Sequence, residues 1–162
     1  EGTYPLPEAQ LDRFLLEIDV NYPDLDAERK MLAATTGAKT VQVDAVMTAE
    51  DLMAAQKLVR EMPIGEQVVE MILSITRAAR PTDDAKDRVK KFIAWGPGPR
   101  ASQAFSLAAR ALALIDGRHS PSLDDVKRLA GPVLRHRMAL NFAARSEGLT
   151  TDDFIKELVA GA

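Results

Sequence analysis

At 162 residues the chain has room for one domain with a real hydrophobic core, or for one domain plus a fragment of another. Apolar residues make up 46% and aromatics only 5%, with Ala and Leu dominant, which favours helices over strands. The net charge of −3 argues against a broad nucleic-acid surface, the absence of cysteine excludes disulfides, thiolate zinc sites and thiol nucleophiles, and no apolar run reaches membrane-spanning length.

The N-terminal stretch differs from the rest. After Pro5 and Pro7, residues 8–14 read as a short helical turn. From Leu15 the sequence alternates apolar and charged residues, which predicts a strand over Leu15–Val20. A second, weaker strand signal lies around Thr40–Val46. One strand cannot make a sheet, so its partners are expected upstream of Glu1, and the chain is expected to be a piece of a longer protein.

From Asp24 onward the signals are helical. Asp24 is placed to cap a helix over 26–35 that ends near Gly37. Thr48 with Asp51 reads as a capping box for a helix over 49–61, stopped before Pro63. Over 65–79, Val68, Val69, Ile72, Ile75, Thr76 and Ala79 share one helical face, and Pro81 closes the segment. Residues 83–93 predict a short charged helix ending near Trp95. The longest helix is predicted over Pro99–Asp116, with Ala101, Ala104, Phe105, Ala108, Ala111, Leu112 and Ile115 on its buried side and Gly117 beyond its end. Ser122 with Asp125 caps a helix to Ala130. Gly131-Pro132 is expected to break it, and a further helix over Val133–Arg145 to follow. Thr150 with Asp153 opens a last helix to Val159.

The stiff loop Gly96-Pro97-Gly98-Pro99 runs into a helix whose first turn carries Arg100. Helix N-termini attract anions, and a guanidinium can hold a phosphate bidentately. Arg13, in the turn before the expected strand, is a second candidate, since an arginine reaching a neighbouring site could stabilise charge on a transferring phosphate. The plain alternative for each is a surface arginine. His119 and His136 have no metal-ligand spacing, so no metal site is expected. Arg135, His136, Arg137 and Arg128 read together as a basic patch. The aspartates Asp24, Asp51, Asp125 and Asp153 read as helix caps, and Met47, Met53, Met62 and Met71 as core fillers. No Gly-x-x-x-x-Gly-Lys-Ser/Thr loop is present, so whatever senses phosphate here cannot cradle it unaided.

Three ordered blocks carry a family resemblance. Glu1 to Phe14 resembles the segment that follows sensor 1 in the MoxR family of AAA+ ATPases. Trp95-Gly96-Pro97-Gly98-Pro99-Arg100-Ala101-Ser102-Gln103 resembles that family's sensor 2 region. Asp116-Gly117-Arg118, Ser122 to Val126 and Val133 to Arg137 are similar to its lid helices. The resemblance implies a mainly α fold: residues 1–22 as the tail of the α/β ATPase core with its last strand, and residues 23–162 as the all-helical lid, hinged near Tyr22-Pro23-Asp24. It implies that Arg13 is an arginine finger acting in trans and Arg100 the sensor 2 residue acting in cis, with Pro99 and Ala101 beside the nucleotide. It implies ATP with Mg2+ as the ligand, bound mainly by residues outside this chain, which alone would not hydrolyse it.

The resemblance further implies a homo-oligomeric, hexameric ring and a cytoplasmic, chaperone-like role in remodelling or maturing partner proteins. Proteins with von Willebrand factor A domains are among the partners implied. Neither nucleic-acid binding nor membrane insertion is expected. The competing expectation is a stand-alone helical interaction module. It would use the Leu134–Met138 patch and the 65–79 helix, with no nucleotide role.

Overall fold

A computed structural model describes residue 4 and residues 6–37 and 43–162 of the chain. The described residues form nine α-helices, one 3-10 turn and two short strands. They fall into two compact units: residues up to Glu17 together with Leu58–Ala162, and Ile18–Lys57.

In the larger unit, α1 (Glu8–Leu11) is the short turn expected after Pro7. The predicted strand over Leu15–Val20 does not form; residues 16–20 have no regular structure. Alternation alone does not make a strand, because its N–H and C=O groups need a ladder partner. Here they find other partners: the N–H of Glu17 donates to Pro132 O at 2.8 Å, and the Leu15 carbonyl accepts from Arg137.

The smaller unit holds α2 (Leu25–Thr35) and all but the last residues of α3 (Ala49–Glu61). Asp24 caps α2 by accepting from the Ala27 N–H at 2.7 Å, and Thr48 with Asp51 forms the expected reciprocal cap of α3. Neither helix buries a residue. Met47 and Met53, read as core fillers, are exposed; only Met62 and Met71 of that set are buried. Of the weak strand signal at Thr40–Val46, residues 40–42 lie outside the described residues, and 43–46 are not a strand.

The core of the larger unit is a packing of α4 (Glu66–Ala78), α6 (Pro99–Ile115), α7 (Leu123–Leu134) and α9 (Thr151–Ala160). Helix α4 buries Val68, Ile72, Ile75 and Thr76, as its periodicity predicts. Helix α6 buries a stripe of small residues, Ala101, Ala104, Ala108, Ala109 and Ala113, around Phe105. Small side chains let the neighbouring backbones come close. The expected face drifts at the C-terminal end: Ala113 is buried, whereas Ile115 is 81% exposed. Two residues turn a helix by about 200°, so Ile115 lies across from Ala113. Gly117 takes φ +70°, with its N–H on Leu114 O and that of Arg118 on Ala113 O, a paired closure that needs a left-handed residue.

Helix α7 runs on through Gly131-Pro132 rather than breaking there. Proline removes one helical bond, but the carbonyl it frees belongs to exposed Arg128, where water can satisfy it. Ala130, Val133 and Leu134, buried on either side of Pro132, hold the helix on course. The expected helix over Val133–Arg145 is instead a 3-10 turn (Arg135–Arg137), a strand β2 (Ala139–Leu140) and a short helix α8 (Phe142–Ser146). The charged 83–93 segment shortens to α5 (Asp87–Phe92) and runs into β1 (Ile93–Trp95). The strands β1 and β2 pair antiparallel, with Ile93 opposite Leu140 and an irregularity before Trp95. This ribbon fixes where the Gly-Pro loop begins.

Candidate functional site

The loop from Gly96 to Gly98 is held from behind. A Cβ on Gly96 would lie 2.5 Å from Ala79 O and 3.0 Å from the Arg80 Cα, so only glycine fits there. Pro97 is fully buried, and its carbonyl accepts from Arg80 Nε at 2.9 Å. Pro99 then opens α6 at its first position, with no side chain capping the helix. Arg100 projects from this rigid start with half of its side chain exposed (50%).

Arg100 and Arg13 line one cleft of about 380 Å³, together with Glu8, Asp12, Trp95 and the two loop glycines. Arg13 is exposed, and no hydrogen bond or ion pair to the described residues holds its guanidinium. Arg100 Nε lies 3.8 Å from Asp12 Oδ2, a long contact that leaves most of its donors open. Pro99 and Ala101 do not line the cleft. Pro99 is exposed but has no N–H, and Ala101 is fully buried with its N–H on Gly98 O, so neither offers a free backbone donor at this helix start.

Behind the cleft lies a group that the sequence did not reveal. Arg137 is 1% exposed, and Nε donates to Asp12 Oδ1 at 3.1 Å. Its Nη1 donates to Val133 O at 2.7 Å and Leu15 O at 3.3 Å, and its Nη2 to the carbonyls of Asp12 and Phe14. Burial pushes its guanidinium below the ordinary arginine value, while Asp12 favours the charged form. The neighbouring His136 ring approaches Phe14 O through Nε2 at 3.2 Å. A carbonyl can only accept, so Nε2 carries the hydrogen. Nδ1 is then the bare acceptor, buried without a hydrogen-bond partner and 3.9 Å from Glu17 Oε2. Desolvation lowers the pKa of His136.

The basic patch read from Arg135, His136 and Arg137 is therefore not a surface patch. Arg137 turns inward, His136 packs on the 14–17 segment, and Arg135 pairs with Asp152 at 2.6 Å. Consecutive residues of a 3-10 turn point about 120° apart and cannot share a face. Arg128 lies 4.0 Å from Asp116 and shares with Arg135 the cleft between α7 and α9.

The AAA lid domain family matches residues 85–158, from just before α5 into α9. The chaperone MoxR1 of Mycobacterium tuberculosis is 34% identical over 160 residues, covering 98% of this chain and 42% of that protein. The protein YeaC of Bacillus subtilis is 33% identical over 161 residues, covering 99% of this chain and 48% of its own length. A crystal structure of a Cytophaga hutchinsonii protein assigned as an ATPase superposes with a TM-score of 0.92 at 29% identity, over all of this chain and 50% of that one. Along nearly its whole length the chain is similar to MoxR-type AAA ATPases. It carries their lid domain and spans about half the length, or less, of the relatives it matches.

Away from the cleft of Arg13 and Arg100, one buried acid serves a structural pairing. Asp125, 2% exposed, accepts twice from Arg118 at 2.7 Å and from the Ser122 N–H, which holds its carboxyl down at about 2. Among the described residues no group of acids and histidines could hold a metal ion, and no helix is long and apolar enough to cross a membrane. A larger cleft of about 660 Å³ between α7 and α9 carries Lys127, Arg128, Arg135 and Lys156 against the single acid Asp152.

Proposed function

We propose that this MoxR-type lid reads a nucleoside triphosphate, ATP by family likeness, through Arg100 and Arg13. One observation carries the reading: a single cleft gathers two guanidinium groups with open donors beside the uncapped start of α6. That end of the site suits a polyphosphate. Asp12 opposes an anion, but Arg137 behind it offsets its charge. In this reading, by likeness to the family, the magnesium ligands lie mainly outside this chain.

In this reading Arg100 acts in cis as the sensor 2 residue. It exchanges its long contact with Asp12 for a phosphate, and that differential contact biases the lid toward the nucleotide-bound state. Arg13 completes a neighbouring subunit's site as an arginine finger, so that hydrolysis requires assembly. Assembly into a hexameric ring and chaperone-like remodelling of partners, von Willebrand factor A proteins among them, complete the proposal by likeness to the family. The alternative of a stand-alone interaction module keeps only one of its two expected surfaces, the outer face of the 65–79 helix, because Leu134, Arg137 and Met138 are buried.

The test is Arg100→Ala in the full-length protein. Hydrolysis should fall about a hundredfold or more, the usual cost of one lost charge-stabilising donor, with assembly unchanged. Wild-type turnover would refute the role. The shared cleft also favours a second reading, in which both arginines serve one and the same triphosphate. Mixing each arginine variant with subunits disabled in the phosphate loop separates the two. Recovery with Arg13→Ala alone supports the cis and trans division. Recovery with both variants, or with neither, supports the shared site, read in trans or in cis respectively.

A further inference from the structure

We propose that Arg137 is the positioning residue for both arginines of the cleft: a buried guanidinium that fixes the Asp12–Leu15 segment so that Arg13 and Arg100 face one space. The proposal rests on the nucleotide-reading role of those two arginines.

An arginine has five N–H donors. All five of Arg137 meet acceptors: the Asp12 carboxylate and the carbonyls of Asp12, Phe14, Leu15 and Val133. Packing alone does not call for such a group, since apolar residues of similar volume commonly replace buried ion pairs without loss of stability. What a fork of donors does, and a hydrocarbon cannot, is hold several carbonyls at fixed positions. Two of those carbonyls, of Asp12 and Phe14, flank Arg13 and share the same Nη2. The segment has no strand ladder; apart from its own turn bonds and the His136 contact at Phe14 O, these bonds tie Asp12–Leu15 to the helices behind it. The same clamp reaches Arg100. Arg137 holds one oxygen of the Asp12 carboxylate, and the other lies 3.8 Å from Arg100 Nε. Asp12 is thus a bridge between a fixed arginine and a movable one.

The test compares turnover of Arg13→Ala, Arg137→Met and the double variant in the full-length protein, normalised to folded material. Arg137→Met should lose about a hundredfold in kcat, the scale of an ångström-sized misplacement. In the Arg13→Ala background it should cost clearly less than that, because one of the two groups it positions is already gone, and with Arg100→Ala added as well less than about twofold. In parallel, hydrogen exchange on this chain should show faster exchange at the amides of residues 13–17 in Arg137→Met, with α4 and α6 unchanged. Should Arg137→Met fail to fold, Arg137→Lys serves. It keeps the charge but not the fork, and should lose turnover with little change in melting temperature.

Additive losses in the double variant, exchange that rises uniformly across the helices, or full turnover with lysine would each overturn the proposal. Wild-type turnover of Arg13→Ala would instead remove the nucleotide reading on which it rests, a failure visible before Arg137 is touched.

Discussion

Gly96→Ala tests the mount of the sensor loop. The added methyl carbon would sit 2.5 Å from Ala79 O, close to 1 Å inside ordinary contact, and 3.1 Å from Pro81 Cδ. The first obstacle is backbone, so no side-chain rotation relieves it. Overpacking of this kind costs about 1–3 kcal/mol. If the loop shifts enough to break the Arg80–Pro97 bond, a further ~1.5 kcal/mol is lost, since its donor is charged. The smaller unfolded-state entropy of alanine returns roughly 0.4–1 kcal/mol. The net loss of about 2–3 kcal/mol should lower the melting temperature of this chain by roughly 5–10 °C, at about 2–4 °C per kcal/mol for this size. Gly98→Ala is the control. Its nearest obstacle is Asp12 Oδ2 at 3.8 Å and its φ is −79°, so the change should stay within about 0.5 kcal/mol. Thermal melts of the two variants beside wild type decide it. Equal melting temperatures for all three would show that the loop is not braced against Ala79, and would undercut the rigid mount assigned to Arg100.

Three further outcomes are expected. Asp125 titrates at about 2 in the folded chain, below its ordinary 3.8, so it adds stability above about pH 4 that disappears as pH falls toward 2. Urea titrations across that range should show a shallower loss for Asp125→Asn, which should also be less stable than wild type by about 1–3 kcal/mol at pH 7; parallel curves would contradict the Arg118 pairing. Pro132→Ala should stabilise the chain by about 1–2 kcal/mol, because it restores a helical bond to Arg128 at a modest entropic cost in the unfolded state. A lower melting temperature there would show that the proline ring itself is needed. In the full-length protein Gly96→Ala should depress turnover with Arg100 still present, by up to about a hundredfold, since a loop shift near 1 Å misplaces the guanidinium; unimpaired hydrolysis would separate loop geometry from sensing.

Most helix boundaries were legible because their signals are local. Asp24, Thr48 with Asp51, Ser122 with Asp125 and Thr150 with Asp153 each cap the helix they precede, through contacts only three residues long. Glycine and proline chemistry also marked Pro99 as the start of α6 and Gly117 as its close. The errors came where distant partners overrule a local rule. Pro132 sits inside a helix because buried residues on both sides hold it there, and the Leu15–Val20 alternation makes no strand because no strand among the described residues pairs with it.

The candidate site divides the same way. Arg13 and Arg100 could be singled out from a turn and a loop, and the chain's own residue order specifies the stiff approach to Arg100. That they share a cleft, and that Arg137 is a buried clamp rather than a surface charge, depends on contacts that span 125 residues of sequence. A guanidinium reads the same in a sequence whether it faces water or five carbonyl and carboxylate oxygens. Only the folded backbone, by bringing those oxygens to one point, decides which.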